Sequence, residues 1–76
     1  MLITVKQDKK AIDVKVDEKQ KIIDVFDVLD QKRLISVSDF YKVRSIRKGQ
    51  IIIALKSFKE NEIYNGDILE IENQWN

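Results

Sequence analysis

The sequence predicts an α+β domain of two layers, in which a sheet of about five strands packs on one helix. Three observations support this class. Apolar and polar residues alternate over residues 1–16, a helical period replaces the alternation over residues 18–31, and alternation returns in the second half of the chain. A helix that lies between two hairpins, each with one apolar face, can bury those faces by packing on the sheet.

Length and composition indicate one folded unit. The 76 residues are expected to form a single domain, residues 1–76, because one core usually occupies on the order of 100 residues. Hydrophobic residues make up 43% and charged residues 36%, which is typical of a folded, soluble protein. Proline is absent and only two glycines occur, so neither a flexible linker nor an internal repeat is predicted.

The amino-terminal segment is typical of a β-hairpin. Ile3 and Val5 lie on one side of an alternating run, so both are predicted to face the core. A polar stretch follows at residues 7–10, and apolar positions then alternate with Asp13 and Lys15. The apolar positions of this second strand are Ile12, Val14 and Val16. We expect the two strands to pair through the turn between them.

A change of period from two to about 3.6 residues predicts one amphipathic helix from Glu18 to Gln31. Asp17 and Gln20 have the spacing of a capping box at its start. The apolar positions of the helix fall within an arc of roughly 160°. They are Ile22, Ile23, Val25, Phe26 and Leu29. Val28 lies at the margin of this arc, so we expect it to be partly exposed.

A second hairpin follows the helix. Tyr41 and Val43 share one face of its first strand, and the apolar run at residues 51–53 predicts its second strand. The dipeptide Lys48-Gly49 lies between the two runs and is a turn signal.

The last third of the chain predicts an irregular segment and a final strand. Phe58 and Ile63 are isolated apolar residues in a polar run, which is typical of an ordered loop or short helical turn with buried anchors. The sequence Asn65-Gly66-Asp67 is a strong turn signal. Leu69 and Ile71 then alternate with acidic residues, as in a strand with one buried face.

The composition excludes most catalytic chemistry. The chain has no cysteine and no histidine, which removes thiolate nucleophiles, the usual general base and the commonest metal ligands. Asp24, Asp27 and Asp30 are spaced by three residues on the predicted helix, and solvated carboxylates are a better interpretation of them than a metal site. We therefore expect no catalytic residue, no cofactor and no metal.

The charge balance argues against a nucleic-acid partner. Fourteen Lys and Arg against thirteen Asp and Glu give a net charge of +1, with the two signs interleaved. A local cluster of Lys42, Arg44, Arg47 and Lys48 is either a basic surface for an acidic partner or the solvated face of the hairpin, and the second is favoured. No stretch approaches the roughly 20 apolar residues that span a bilayer. The sequence thus predicts a cytoplasmic protein that does not insert into a membrane.

The order of elements resembles that of ubiquitin. Similarity at the level of residues is strongest in KGQIIIALKSFKENEIYNGDILEIE, residues 48–72. There, Ile63 followed by Gly66-Asp67, Leu69 and Ile71 is similar to the small ubiquitin-like accessory proteins of type VII secretion systems in Gram-positive bacteria, the YukD/EsaB family. The resemblance implies a β-grasp fold with a mixed sheet, and a role as an accessory protein that binds other proteins.

The carboxy-terminal residues depart from ubiquitin itself. Ubiquitin and the sulfur-carrier proteins need a flexible tail that ends in Gly-Gly, so that an activating enzyme can adenylate the terminal carboxylate. This chain ends Glu72-Asn73-Gln74-Trp75-Asn76. Conjugation and sulfur transfer are therefore not expected, and members of the secretion family also lack that tail.

Four residues are the candidate contacts for a protein partner. Lys42 and Arg44 fall on the outward side of the strand that buries Tyr41. Ile52 is predicted to contribute to an exposed patch, because both faces of a run of three isoleucines are apolar. Trp75 lies just past the last strand, where it either packs over the sheet, which is slightly favoured, or stays exposed as an anchor.

These observations predict a cytoplasmic, non-catalytic binding module of a type VII secretion system, which docks to the secretion machinery or a regulator. Weak self-association is left open. One rival hypothesis is an enzyme-linked role, either as a carrier charged by an activating enzyme or as a small β-grasp subunit of a multicomponent oxygenase. Another is a piece of a larger membrane protein, because secretion channels of actinobacteria carry a similar domain.

Overall fold

A computed structural model describes residues 1–73 as a five-stranded sheet with one helix. The elements are β1 (Leu2–Gln7), β2 (Lys10–Lys15), α1 (Ile22–Gln31), β3 (Tyr41–Ser45), β4 (Gln50–Ile52) and β5 (Ile68–Asn73). Their order along the chain is the predicted one.

The sheet is mixed, with strand order β2-β1-β5-β3-β4. β1 and β5 run parallel at its centre, and every other pair of neighbours is antiparallel. The two hairpins, β1–β2 and β3–β4, therefore lie on opposite sides of the central strand β5, with β2 and β4 at the edges. This architecture confirms the predicted α+β class, with about five strands packed on one helix.

The core lies between the helix and the inner face of the sheet. Phe26 of α1 is fully buried, and its ring stacks on that of Tyr41 with 6.3 Å between the centroids. The strands contribute alternating residues, as the period of two predicted. The buried apolar residues of the strands are Ile3, Val5, Val43, Ile52, Leu69 and Ile71.

The helix begins at Ile22, later than the predicted Glu18. Asp17 and Gln20 do interact, because the backbone N–H of Asp17 donates to Gln20 Oε1 at 2.9 Å, but the contact closes a turn before the helix. The N–H of Ile22 donates instead to the Lys56 carbonyl at 3.1 Å. Backbone carbonyl groups from elsewhere in the chain thus accept hydrogen bonds from the first N–H groups of the helix, where a capping side chain was expected.

The segment between β4 and β5 is irregular and anchored, as predicted. Phe58 and Ile63 are buried in the core. Asn61, with only 8% of its surface exposed, binds the backbone of β4's end: its Oδ1 accepts from the Ile53 N–H at 2.8 Å, and its Nδ2 donates to the Ile53 carbonyl at 2.8 Å. Within residues 1–73, no helix is long and apolar enough to cross a membrane.

Candidate protein-binding surface

Exposed apolar side chains concentrate around β3 and β4, at outward strand positions and in the segments that flank the two strands. Of the nine large hydrophobic side chains that are exposed in residues 1–73, five lie between residues 40 and 55. Together with the two outward cations of β3 they define a surface that we call the β3–β4 face. It consists of Phe40, Lys42, Arg44, Ile46, Ile51, Ile53 and Leu55. Apolar patches of this kind mark contact sites more often than isolated exposed residues do.

The prediction that Ile52 is exposed is wrong. Ile52 is opposite Val43 in the antiparallel pair of β3 and β4, and residues that are opposite each other share a face of the sheet. Because Val43 faces the core, Ile52 faces it too and is only 6% exposed. Its neighbours Ile51 and Ile53 take the outward positions. A run of three isoleucines is apolar on both faces, so its composition gave no information about the register.

The most exposed part of the β3–β4 face is a groove at the end of β4. Phe40 and Leu55 line it with 66% and 68% of their surface exposed. Ile23 of the helix and Ile53 complete the apolar wall, and Lys42 lies at the rim. The groove has a volume of about 410 Å³ and is lined mainly by apolar side chains.

Lys42 and Arg44 lie on the outer side of β3, as predicted. Arg44 Nε donates to Glu72 Oε1 at 2.8 Å, and this bond lowers the pKa of the Glu72 carboxyl. In the ladder with β5, Lys42 is opposite Glu72 and Arg44 is opposite Glu70. The cations of the β3–β4 face therefore alternate with carboxylates, and the face combines apolar residues with balanced charge.

The other members of the basic cluster are also paired. Arg47 donates to both carboxylate oxygens of Asp67, from Nε at 2.8 Å and from Nη2 at 3.0 Å. Lys48 Nζ donates to the Asn61 carbonyl at 2.9 Å and lies 3.9 Å from a Glu62 oxygen. These bonds favour the solvated face of a hairpin over a basic surface for a polyanion.

Trp75, the fourth candidate, lies outside the described residues. Phe40, Ile51, Ile53 and Leu55 are not among the contacts predicted from the sequence. Phe40 could have been predicted, because it precedes Lys42 and Arg44 at alternate positions, and alternate residues of a strand share one face. Within residues 1–73, no three His, Cys, Asp or Glu side chains are close enough together to hold a metal ion.

A five-stranded mixed sheet that holds one helix between two hairpins defines the β-grasp, or ubiquitin-like, fold. No protein-family model matches the sequence, and no curated protein matches it. Comparison of structures matches 59 solved chains, so the fold is widely used and does not by itself assign a function. One of them is the N-terminal ubiquitin-like domain of the 4931431F19Rik protein, determined in solution. It is 10% identical, with a TM-score of 0.77 over 100% of this chain and 76% of that chain.

Proposed function

We propose that this chain is a non-catalytic, ubiquitin-like module that binds another protein through the β3–β4 face. The observation that carries the proposal is the concentration of exposed apolar side chains there, led by Phe40 and Leu55. Residues of this type dominate protein contacts when they enter a pocket on the partner, and the surrounding charges fix the orientation.

Lys42 and Arg44 keep the role expected from the sequence, as charged contacts at the rim. The Arg44–Glu72 pair is about two-fifths exposed on each side, so it contributes little to stability and remains accessible to a partner. Ile51 and Ile53 replace Ile52 as the apolar contacts of β4. Trp75 stays a candidate anchor.

We propose further that the partner belongs to a type VII secretion system, where this chain acts as a cytoplasmic accessory or regulatory component that is not conjugated. The similarity of residues 48–72 to the YukD/EsaB family supports this assignment. A partner in the secretion machinery fits a module that presents a docking face. Such a module makes and breaks no covalent bond.

The test is affinity purification from the native cell after crosslinking, followed by mass spectrometry. Ile53→Glu and Leu55→Glu place charge in the groove at exposed positions, so both variants should fold and lose the partner. Leu34→Glu is the matched control, because it adds the same charge at an exposed apolar residue outside the β3–β4 face. Retention of the same partners by the groove variants would contradict the proposal.

Intact-mass analysis after incubation with ATP and cell extract separates this function from a carrier role. The binding module should keep its mass. An adduct, or recovery of adenylating enzymes alone, would favour the carrier.

A further inference from the structure

The groove at the end of β4 lies beside the point where β5 reaches the end of the sheet. Asn73, the last residue of β5, is opposite Tyr41 of β3, and Tyr41 lines the groove. The Asn73 carboxamide fixes this end of the strand, because its Oδ1 accepts from the Ser38 N–H at 2.8 Å and its Nδ2 donates to the Ser36 carbonyl at 2.9 Å. Residues next to the groove therefore set the place at which the chain leaves the sheet.

Trp75 follows two residues beyond this place, outside the described part of the chain. In the antiparallel ladder of β3 and β5, each step forward along β5 is one step back along β3 from the pair of Tyr41 and Asn73. The same register, continued by two residues, brings position 75 opposite Asp39, which lines the groove. Two extended residues span at most about 7 Å, and neighbouring strands lie about 4.8 Å apart. The indole of Trp75 is thus within reach of the groove.

The chemistry of the groove suits an indole ring. Phe40 and Leu55 expose most of their surface to water, and an aromatic ring packed on them removes that apolar surface from water. The N–H of a buried indole needs an acceptor. Asp39 offers a carboxylate in the wall of the groove, and it takes part in none of the ion pairs within residues 1–73. Lys42 at the rim adds a cation beside the ring.

We propose that Trp75 fills the groove at the end of β4 of its own chain while no partner is bound. The indole packs on Phe40 and Leu55, and its N–H donates to Asp39. A partner that uses the groove has to displace Trp75, so its apparent affinity is reduced by the fraction of molecules in which the groove is open. The displaced Trp75 is then available as an anchor on the partner.

The contact within the chain stands apart from the function proposed for the β3–β4 face, whereas its effect on partner binding rests on that function. Fluorescence and NMR of the isolated protein test the contact. Recovery of partners from the cell tests the function, so either can fail without the other.

Fluorescence reports on Trp75 alone, because it is the one tryptophan of the chain. The folded protein should emit at a shorter wavelength than the protein unfolded in urea, and acrylamide should quench it several-fold less. Leu55→Glu places a charge in the groove and should shift the emission towards that of the unfolded protein. Emission like that of the unfolded chain in the wild type would overturn the proposal.

Leu2→Glu is the matched control for the fluorescence experiment. Leu2 is also an exposed apolar residue, and it lies at the opposite end of the sheet, since β1 runs parallel to β5. Leu2→Glu should leave the emission unchanged. An equal shift in Leu2→Glu and Leu55→Glu would contradict the proposed site.

Nuclear Overhauser effects in the wild type locate the indole without any substitution, and they decide the question if Leu55→Glu unfolds. The indole protons should show effects to the methyl groups of Ile53 and Leu55. Effects to other apolar residues only, or none, would rule out the groove. The effects should also persist on dilution, because their loss would mean that the indole belongs to a second copy of the chain.

Trp75→Ala tests whether the indole covers the groove. Removal of the side chain should expose the apolar wall and increase the binding of the dye anilinonaphthalene sulfonate, which binds exposed apolar surface. The double variant Trp75→Ala/Leu55→Glu should bind no more dye than the wild type. Dye binding that is unchanged in Trp75→Ala would mean that the groove is open in the wild type, and would contradict the proposal.

Discussion

The two edges of the sheet are protected by different means. β4 is short, and the carboxamide of Asn61 occupies both backbone groups of Ile53. β2 is twice as long and carries lysines at both ends, which discourage aggregation but leave its backbone groups open. The two edges thus differ in how their backbone is covered: Asn61 satisfies Ile53 at the end of β4, whereas the outward groups of Ala11, Asp13 and Lys15 have no backbone partner within residues 1–73.

Replacement of Asn61 tests the covered edge and should have the largest effect. Asn61→Ala leaves the N–H and C=O of Ile53 without their partner in a part-buried position, and it removes the bond that Nδ2 donates to the Ser57 carbonyl at 2.9 Å. We expect a loss of about 3 kcal/mol in the free energy of unfolding, measured by urea denaturation.

Asn65→Ala is the matched control for this change. Asn65 is exposed and accepts one bond, from the Leu2 N–H at 2.8 Å, so the loss should be less than about 1 kcal/mol. Equal losses of unfolding free energy in Asn61→Ala and Asn65→Ala would mean that the hydrogen bonds of Asn61 stabilise the fold no more than one exposed hydrogen bond does.

Asp67 holds the segment that covers β4, and its removal should have the second largest effect. Asp67 binds Arg47, whose Nη2 also donates to the Glu62 carbonyl at 2.8 Å. Asp67→Asn should cost about 2 kcal/mol at neutral pH, a value reduced because Arg47 is nearly half exposed.

The pH dependence of stability gives an independent measurement of this pair. The hydrogen bond from Arg47 lowers the pKa of Asp67 below its usual value. The unfolded chain therefore takes up this proton more readily than the folded protein, so the stabilisation is complete above pH about 4 and is lost as the pH falls through the folded pKa. The difference between wild type and Asp67→Asn should shrink over that range. A constant difference would show that Asp67 acts through packing.

The sequence predicts the architecture well because the relevant signals are local and repeated. Ile3 and Val5 were predicted to share one buried face of β1, and Leu69 and Ile71 one buried face of β5. The structure confirms both faces. The helix predicted near residues 18–31 exists, and Val28 at its margin is exposed as expected.

Features that depend on long-range contacts could not be predicted in the same way. The helix starts at Ile22 because backbone from residues 54–56 accepts its first N–H groups, and no local signal encodes that contact. The side of the sheet to which Ile52 belongs depends on its pairing with Val43. Asn61 is one polar residue in a polar run, so its position beside Ile53 follows only from the folded chain.

The last prediction compares the edges without changing either of them. Hydrogen exchange along β2 should alternate, with the amides of Ile12, Val14 and Val16 protected by β1 and those of Ala11, Asp13 and Lys15 exchanging quickly. The amide of Ile53 should be protected although β4 is also an edge strand, because Asn61 accepts its bond.

The alternation also distinguishes an open edge from one that a second copy covers. Uniform protection along β2 that disappears on dilution would indicate self-association through this edge, since only an intermolecular contact depends on concentration. Alternation that persists at every concentration would mean that the backbone of β2 is free in the isolated protein.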